Sequence, residues 1–519
     1  MIALTCMLRN THPALFTRRP AASLPVLLVA VVAAGILAGR PGLALAAQPV
    51  PIGSALPHAS VVPLTACRGA DIAAWTTIYE QYFSPIQACV LVAPSSGQLF
   101  IAANASVEYL DGAYEVVMAV SVDSPLNPEP GTLRHVNVYS DSGDSAGLGG
   151  VRPVTITLLK AVPAGTYTIY SLGKRFAGAG AGTVYLRYPS LSVVFIPDDS
   201  GMPSCGVHGD RTWTSAAQAG STWDLVDTCS VTLPNQDGYL FISADASLGE
   251  KWSAEAAQRG DYQANFRISV GGTADRHSDR FVDIINHVTN DDGSDKVVAL
   301  SVLRRVNAEQ PIKPGTSVTV YLLASRHAGS ASTLLSLRDP TLSVIFFPDL
   351  GFSAHTCGSP PPQHPTQSDA DYWDAWTAWT WGSASFGNIR QCSASVPADG
   401  WALLVATASV ARPNRTDPCD VCAPYQAEFR LGVDTTAGLE DTRRLVNIYD
   451  DPAGRNPGVL DGSDESLSLV SLRALSPGPH TFYLVGQRRA GPGMVLLWYP
   501  NLTVIIPNGR LFFPLNIRQ

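Results

Sequence analysis

The chain has no excess of basic residues and little charge of either sign. Its 35 lysines and arginines are outnumbered by 43 aspartates and glutamates, and charged residues make up only 15% of the 519 residues. Because nucleic acids are bound through clustered basic side chains, we do not expect a nucleic-acid partner. A hydrophobic content of 46% also excludes the composition of a disordered chain. The sequence predicts a folded, acidic protein.

Long apolar runs are scarce as well. One run spans 24–38, after Arg18 and Arg19 and before the small-x-small site Ala44-Leu45-Ala46. This pattern is typical of a secretory signal peptide over 1–46, followed by an N-terminal lead over 47–66. A membrane anchor is the alternative, but the run is shorter than the roughly 18 apolar residues that a span requires. We therefore expect a secreted or cell-surface protein with no transmembrane span in the mature chain.

The chain shows no convincing helical pattern and instead repeats itself three times. An opening phrase, Cys-x-x-x-[Val/Leu/Ala]-Pro, recurs at Cys89, Cys229 and Cys392. A closing phrase, Pro-x-Leu-[Ser/Thr]-Val, recurs at Pro189, Pro340 and Pro500. Self-similarity on this scale indicates three structural units. The predicted domains, called copies 1, 2 and 3 below, are 67–199, 200–350 and 351–508, and 509–519 forms a C-terminal tail.

Each copy contains short apolar runs separated by glycine and proline turns. Runs such as Val154, Ile156 and Leu158 alternate with a period of two, which is typical of strands with one face in a core. About eight such runs per copy favour a two-sheet sandwich of jelly-roll or related Greek-key topology. The expected fold class is all-β, with three tandem jelly-roll-like β-sandwich domains after the signal peptide.

Three phrases carry a resemblance to a known family, and this resemblance covers all three copies. The first is an early phrase that runs from a proline to Gly-[Tyr/Trp] and a following apolar residue. The second is a late strand of the Gly-Thr-x-Thr-apolar-Tyr type, and the third is a terminal strand such as Leu342–Pro348. Together they resemble the tumour necrosis factor-like jelly rolls, which include the globular heads of complement and collagen-like proteins. The resemblance implies a trimer around a threefold axis, with ligands on its outer surface or in its crevices. Three copies in one chain would then form a covalent pseudo-trimer, and the alternative is a linear array.

The cysteines predict disulfides inside each copy. In every copy a first cysteine is followed by the cysteine of the opening phrase, and secretion supplies an oxidising setting. The predicted bonds are Cys67 with Cys89, Cys205 with Cys229, and Cys357 with Cys392. Cys419 and Cys422 lie in an insertion of copy 3. Zinc would need two further ligands there, and a redox motif would be expected at a helix start, so we predict a local structural bridge.

Several motifs suggest chemistry but fit turns better. Gly143–Gly147 matches the Gly-x-Ser-x-Gly nucleophile elbow around Ser145, yet it lies between two predicted strands with no following helix. The equivalent loops of copies 2 and 3 contain Asp295 and Asp464, whose oxygens suit calcium, but aspartate and glycine are common in turns. His135 corresponds to Phe281 and Leu445, so a histidine site repeated in each copy is not supported. We expect no catalytic residue, metal site or cofactor.

Tryptophan is unusually dense in one segment of copy 3. We predict ligand binding by Trp373, Trp376 and Trp381, because exposed indoles stack on sugars or anchor protein partners. Trp-Thr also occurs at Trp75 and Trp213, so one indole, Trp376 or Trp379, is expected to fill a core position instead. The favoured function is a non-enzymatic binding or structural protein with a glycan or protein ligand. The alternative is an extracellular, glycosidase-like hydrolase with a carboxylate pair in one divergent copy.

Overall fold

The computed structural model of the chain describes seventeen segments between residues 66 and 507. They are 66–69, 76–78, 82–108, 114–138, 150–178, 184–210, 212–215, 223–249, 262–284, 295–329, 335–357, 376–379, 385–397, 399–411, 425–448, 464–491 and 495–507. These segments hold 27 β-strands and two short 3-10 helices, Asp198–Ser200 and Glu440–Thr442. In the parts of the chain that the structure describes, we find no helix of the length and apolarity needed to cross a membrane.

The described strands divide equally among the three copies. Copy 1 contains β1 Ala66–Arg68, β2 Thr76–Ile78, β3 Ser84–Ala93, β4 Gly97–Glu108, β5 Tyr114–Val122, β6 Arg134–Val138, β7 Val151–Val162, β8 Gly165–Gly178 and β9 Val184–Pro197. Copy 2 contains β10 Ser204–Val207, β11 Thr212–Ser215, β12 Asp224–Thr232, β13 Gly238–Leu248, β14 Tyr262–Val270, β15 Thr273–Ile284, β16 Lys296–Val306, β17 Ser317–Gly329 and β18 Leu335–Pro348. Copy 3 contains β19 Phe352–Thr356, β20 Trp376–Trp379, β21 Gly387–Val396, β22 Gly400–Ala411, β23 Tyr425–Val433, β24 Arg444–Ile448, β25 Glu465–Leu475, β26 Gly478–Ala490 and β27 Val495–Pro507.

All three copies have the same sheet topology. In copy 1 one antiparallel sheet has the order β1-β9-β4-β7, with β2 also paired to β9, and the other has the order β3-β8-β5-β6. Copies 2 and 3 repeat both orders with their corresponding strands. This arrangement of a five-stranded and a four-stranded sheet is that of a jelly roll whose first strand is split into two short strands. The predicted all-β fold of three tandem sandwiches is confirmed.

The apolar run of β4 is buried on both faces, and this explains why it is continuous instead of alternating. Leu99 and Ile101 point into the core of copy 1, whereas Phe100 between them joins a cluster shared by all three copies. A strand covered on both sides has no solvated face to mark with polar residues. The equivalent strands of copies 2 and 3 behave likewise, with Phe241 and Leu403 in the shared cluster.

This shared cluster, called the central cluster, is a fourth hydrophobic core in addition to one core per sandwich. Its buried members are Phe100, Ala102, Leu159, Ile196, Met202, Phe241, Leu303, Ile345, Phe347, Phe352, Ala354, Leu403, Val405, Val470, Leu472 and Ile505. Phe100 of copy 1 and Phe241 of copy 2 meet edge to face, with ring centroids 5.7 Å apart. The sheets that contain β4, β13 and β22 therefore pack on one another as well as inside their own sandwiches.

Among the described residues, each sandwich has one disulfide near the start of its copy. The bonds join Cys67 to Cys89, Cys205 to Cys229, and Cys357 to Cys392, across sequence separations of 22, 24 and 35 residues. In copy 1 the bond links β1 in one sheet to β3 in the other, so it ties together the two layers of the sandwich. The three disulfides and the β-sandwich fold fit an extracellular protein.

Candidate functional site at the interfaces between the copies

In each copy the residue just before the closing phrase has a left-handed backbone conformation. Tyr188, Asp339 and Tyr499 have φ angles of 49°, 52° and 48°, a conformation that costs free energy in a non-glycine residue. The Tyr188 ring lies 5.0 Å from the guanidinium carbon of Arg443 in copy 3. The Tyr499 ring stacks 6.5 Å from Phe281 in copy 2. The two tyrosines therefore contribute to the interfaces between copies.

Three fully buried arginines at equivalent positions of β6, β15 and β24 cross from one copy to the next. The contacts are Arg134 Nε to Asp245 Oδ1 at 2.6 Å, Arg280 Nη2 to Thr407 Oγ1 at 2.5 Å, and Arg444 Nη2 to Ser190 Oγ at 2.8 Å. They lead from copy 1 to 2, from 2 to 3, and from 3 back to 1. Burial lowers the pKa of Arg444 to about 9, which leaves its guanidinium charged at neutral pH. The contacts close a ring of three copies.

Three buried serines repeat the same cyclic order. Each sits on the strand equivalent to β4 and accepts a hydrogen bond from the backbone N–H that follows a buried arginine. The bonds are His135 N to Ser247 Oγ at 3.0 Å, Phe281 N to Ser409 Oγ at 2.8 Å, and Leu445 N to Ser106 Oγ at 3.1 Å. Since β6, β15 and β24 are the last members of their sheets, these bonds satisfy backbone donors that their own sheet leaves unpaired.

Three charged side chains, one from each copy, lie close together where β7, β16 and β25 begin. Arg152, Lys296 and Glu465 occupy the same register position and are buried. Lys296 Nζ is 2.7 Å from Glu465 Oε1, and Arg152 Nε is 3.9 Å from the same oxygen. Burial lowers the pKa of Lys296 and outweighs the opposing effect of Glu465. One carboxylate thus bridges two cations from the other two copies.

Beside this triad, the interface between copies 1 and 2 collects a histidine and two carboxylates. Glu115 on β5 and His135 on β6 come from copy 1, and Asp295, just before β16, comes from copy 2. His135 Nδ1 lies 2.5 Å from Glu115 Oε1. One ligand atom of each residue can be chosen so that all three lie within 4.8 Å of one another, and all three side chains are buried. Arg152 Nη1 donates to the Asp295 backbone oxygen at 3.2 Å. We call these three residues the Glu-His-Asp cluster.

The same positions at the other two interfaces hold different chemistry. Between copies 2 and 3 they are Gln263, Phe281 and Asp464, and the Gln263 amide donates to Asp464 Oδ2 at 2.8 Å. Between copies 3 and 1 they are Gln426, Leu445 and Val151. At these matched positions, the contact between neighbouring copies therefore forms with a single carboxylate or with none. At these three matched positions, the second carboxylate and the imidazole occur only between copies 1 and 2, while Asp283 supplies a further buried carboxylate beside Asp464.

The predicted ligand-binding tryptophans lie largely outside the described residues. Trp373 and Trp381 are not among the described residues, and neither are Cys419, Cys422 and Ser145. Trp376 begins β20, which pairs with the edge of the third copy's sheet through β27 and places Trp376 opposite Trp498. The Trp498 ring lies 5.6 Å from Phe281 of copy 2. In copy 2, the Trp213 side chain packs against the sandwich core.

Reasoning from the sequence did not find the Glu-His-Asp cluster. His135 does not recur at the matched positions of the other copies, and Asp295 lies in a segment whose composition is typical of a turn. The cluster is formed by different positions of neighbouring copies, so comparison at matched positions cannot find it. The available signal was the change from glutamine at 263 and 426 to glutamate at 115.

No family model matches this chain, and no curated protein sequence does. Its fold is similar to that of several solved structures. A peptide-N(4)-(N-acetyl-β-D-glucosaminyl) asparagine amidase is 11% identical, with a TM-score of 0.28, covering 60% of this chain and 98% of that one. PNGF-II is 8% identical, with a TM-score of 0.23, covering 80% and 99%. The VP2 subviral particle of infectious bursal disease virus is 11% identical, with a TM-score of 0.20, covering 88% and 84%. At this level of similarity, nothing about the activity of this protein follows from the three structures.

Proposed function

We propose that this chain is a secreted, non-enzymatic binding or structural protein whose three sandwiches form an intramolecular pseudo-trimer. The observation that carries the proposal is the cyclic order of the buried contacts, from copy 1 to 2, 2 to 3, and 3 to 1. A linear array of three copies would have two interfaces between copies and would leave the outer faces of the terminal copies free. A ring has three interfaces, and the central cluster draws residues from all three copies. The domain limits 67–199, 200–350 and 351–508 belong to this proposal.

The proposed role of the ring is to hold the tryptophan-rich segment of copy 3 on a rigid support. Strand β20 pairs with β27 and places Trp376 opposite Trp498, whose ring contacts Phe281 of copy 2. Rigid presentation of aromatic side chains lowers the entropic cost of binding a glycan or protein ligand. The ligand-binding assignment of Trp373, Trp376 and Trp381 remains part of this proposal.

Two measurements test the parts of the proposal separately. Small-angle scattering of the secreted chain should give a compact particle, and an elongated rod would contradict the pseudo-trimer. A glycan array and a cross-linking screen should each be run with the wild type, with Trp373→Ala plus Trp381→Ala, and with Trp223→Ala as control. Trp223 lies in copy 2, where its ring packs 4.3 Å from Arg267. Loss of a ligand only in the double variant supports the binding site, whereas equal binding by all three proteins rules it out.

The hydrolase alternative requires two carboxylates that a sugar can reach. Glu115 and Asp295 approach each other, but their side chains are buried to within 3% of full coverage inside an interface. A glycosidase needs its acid and its nucleophile or base in contact with the scissile bond. The described geometry at this pair therefore favours a structural or ion-binding role over hydrolysis of a polymer.

A further inference from the structure

We propose that Glu115, His135 and Asp295 bind one divalent transition-metal ion, with Zn²⁺ and Mn²⁺ as the expected ions, that cross-links copies 1 and 2. The ligand atoms converge from two strands of one copy and from the strand start of the next. Imidazole nitrogen and carboxylate oxygen are the donors that such ions accept in proteins. The site goes beyond the proposed binding function and does not depend on it.

The geometry requires a moderate adjustment to receive an ion. Zinc binds nitrogen and oxygen donors at about 2.0–2.2 Å, so neighbouring donors of a tetrahedral ion are about 3.3–3.6 Å apart. The three donor atoms lie within 4.8 Å of one another. Side-chain rotations that move the donors by about 1 Å would therefore bring them into coordination range.

Charge balance also favours a divalent cation at this position. Glu115 and Asp295 place two carboxylates in a buried interface, where a nearby cation lowers the cost of burying negative charge. Arg152 contacts the Asp295 backbone oxygen, and Lys174 is near enough for Glu115 to affect its pKa, although burial and Arg338 lower that pKa more strongly. A divalent ion, two carboxylates and a neutral imidazole together form a neutral site.

The interface between copies 2 and 3 serves as an internal control for this argument. Gln263 stands there in place of Glu115, and its amide donates directly to the carboxylate of Asp464, whereas Gln426 donates to Asn447 of its own copy. Ionised Glu115 can only accept hydrogen bonds, so it cannot replace that donor. Between copies 2 and 3 the contact therefore uses an amide donor. Between copies 1 and 2 it uses hydrogen-bond acceptors, which suit an ion.

The test uses the full chain after treatment with a chelator and dialysis. ZnCl₂, MnCl₂ and CaCl₂ are titrated separately by isothermal calorimetry, and the bound metal is counted by elemental mass spectrometry. We expect one Zn²⁺ or Mn²⁺ per chain and weaker binding of Ca²⁺, which prefers six to eight oxygen donors. Stronger binding of Ca²⁺ than of Zn²⁺ and Mn²⁺ would overturn the assignment, as would the absence of any bound ion.

Two variants place the site at these residues. Glu115→Gln and His135→Leu each introduce the residue that copy 3 has at the same position, so both should fold, which circular dichroism checks. Each should weaken binding by about 100-fold or more, since even second-shell changes cost 10–100-fold. His480→Asn is the matched control, because His480 Nδ1 also lies 2.7 Å from a carboxylate, Asp434, but at an exposed hairpin. Wild-type affinity in Glu115→Gln, or a loss of affinity in His480→Asn as large as in the other variants, would contradict the proposal.

Discussion

Removal of the Asp245 carboxylate should destabilise the whole ring, because this carboxylate lies at the centre of the interface between copies 1 and 2. It accepts hydrogen bonds from Arg134 Nε at 2.6 Å and from the Thr157 backbone N–H at 2.8 Å, and both donors belong to copy 1. The side chains of Arg134 and Asp245 are 0% exposed. Asp245→Ala would leave a buried guanidinium without its counter-ion. Loss of one partner of a buried pair costs about 3–5 kcal/mol, so we expect a decrease of this size in the free energy of unfolding.

The other interfaces suggest a variant that restores part of this loss. Thr407 occupies the position of Asp245 in copy 3 and accepts a hydrogen bond from Arg280 at 2.5 Å. Asp245→Thr should therefore keep one hydrogen bond to the arginine and recover about 1.5–3 kcal/mol relative to Asp245→Ala, the usual value of a bond to a charged group.

Urea unfolding followed by circular dichroism and tryptophan fluorescence measures these differences. The matched control is Asp349→Ala, which removes a bidentate pair with Arg305 at 2.5 Å whose side chains are about one-third exposed. Exposed pairs contribute about 0–1 kcal/mol. Salt at about 0.5 M should weaken the control pair and leave the effect of Asp245→Ala unchanged, since buried pairs are poorly screened. If Asp245→Ala costs no more than Asp349→Ala, the inter-copy pair does not stabilise the ring.

Three further predictions concern the central cluster, a surface histidine and a disulfide. Phe241→Ala should cost about 3–5 kcal/mol in urea unfolding, because the ring is buried between copies; a change below about 1 kcal/mol would mean that the central cluster does not hold the copies together. Burial lowers the pKa of His480, but hydrogen bonds to the Ser476 carbonyl and Asp434 outweigh it, so the pKa is raised above 6.5. The stability that His480 contributes should be complete below pH 6.5 and decline as pH rises through the raised pKa; an NMR titration midpoint at or below 6.5 would refute this. Replacing Cys357 and Cys392 together by serine should cost about 3 kcal/mol, measured by thermal or urea unfolding against the wild type; an unchanged midpoint would contradict it.

Much of the sandwich architecture could be predicted from local patterns. Val154, Ile156 and Leu158 alternate with the period of a strand, and all three side chains lie in the core of copy 1. The run Leu99-Phe100-Ile101 is apolar at three consecutive positions, which indicates a buried strand but not what covers its second face. That face is covered by the other copies, and the local sequence records only that it is apolar.

The candidate site was much harder to predict, since it depends on contacts between distant parts of the chain. Asp295 approaches Glu115 and His135 only because copy 2 packs on copy 1. The tryptophan site stays a prediction, because Trp373 and Trp381 lie outside the described residues. The predicted resemblance to tumour necrosis factor-like jelly rolls also remains a prediction beyond the shared jelly-roll topology.

The sequence by itself determined the number of copies, the strand content and the disulfide pairs, because periodicity and spacing act over a few residues and are repeated in each copy. Only the tertiary structure decided which faces of the sandwiches meet, and in what cyclic order Arg134, Arg280 and Arg444 cross between them. These contacts join side chains that are far apart in sequence and differ from one interface to the next. Their positions are set by the packing of whole sheets, so no local pattern in the chain specifies them.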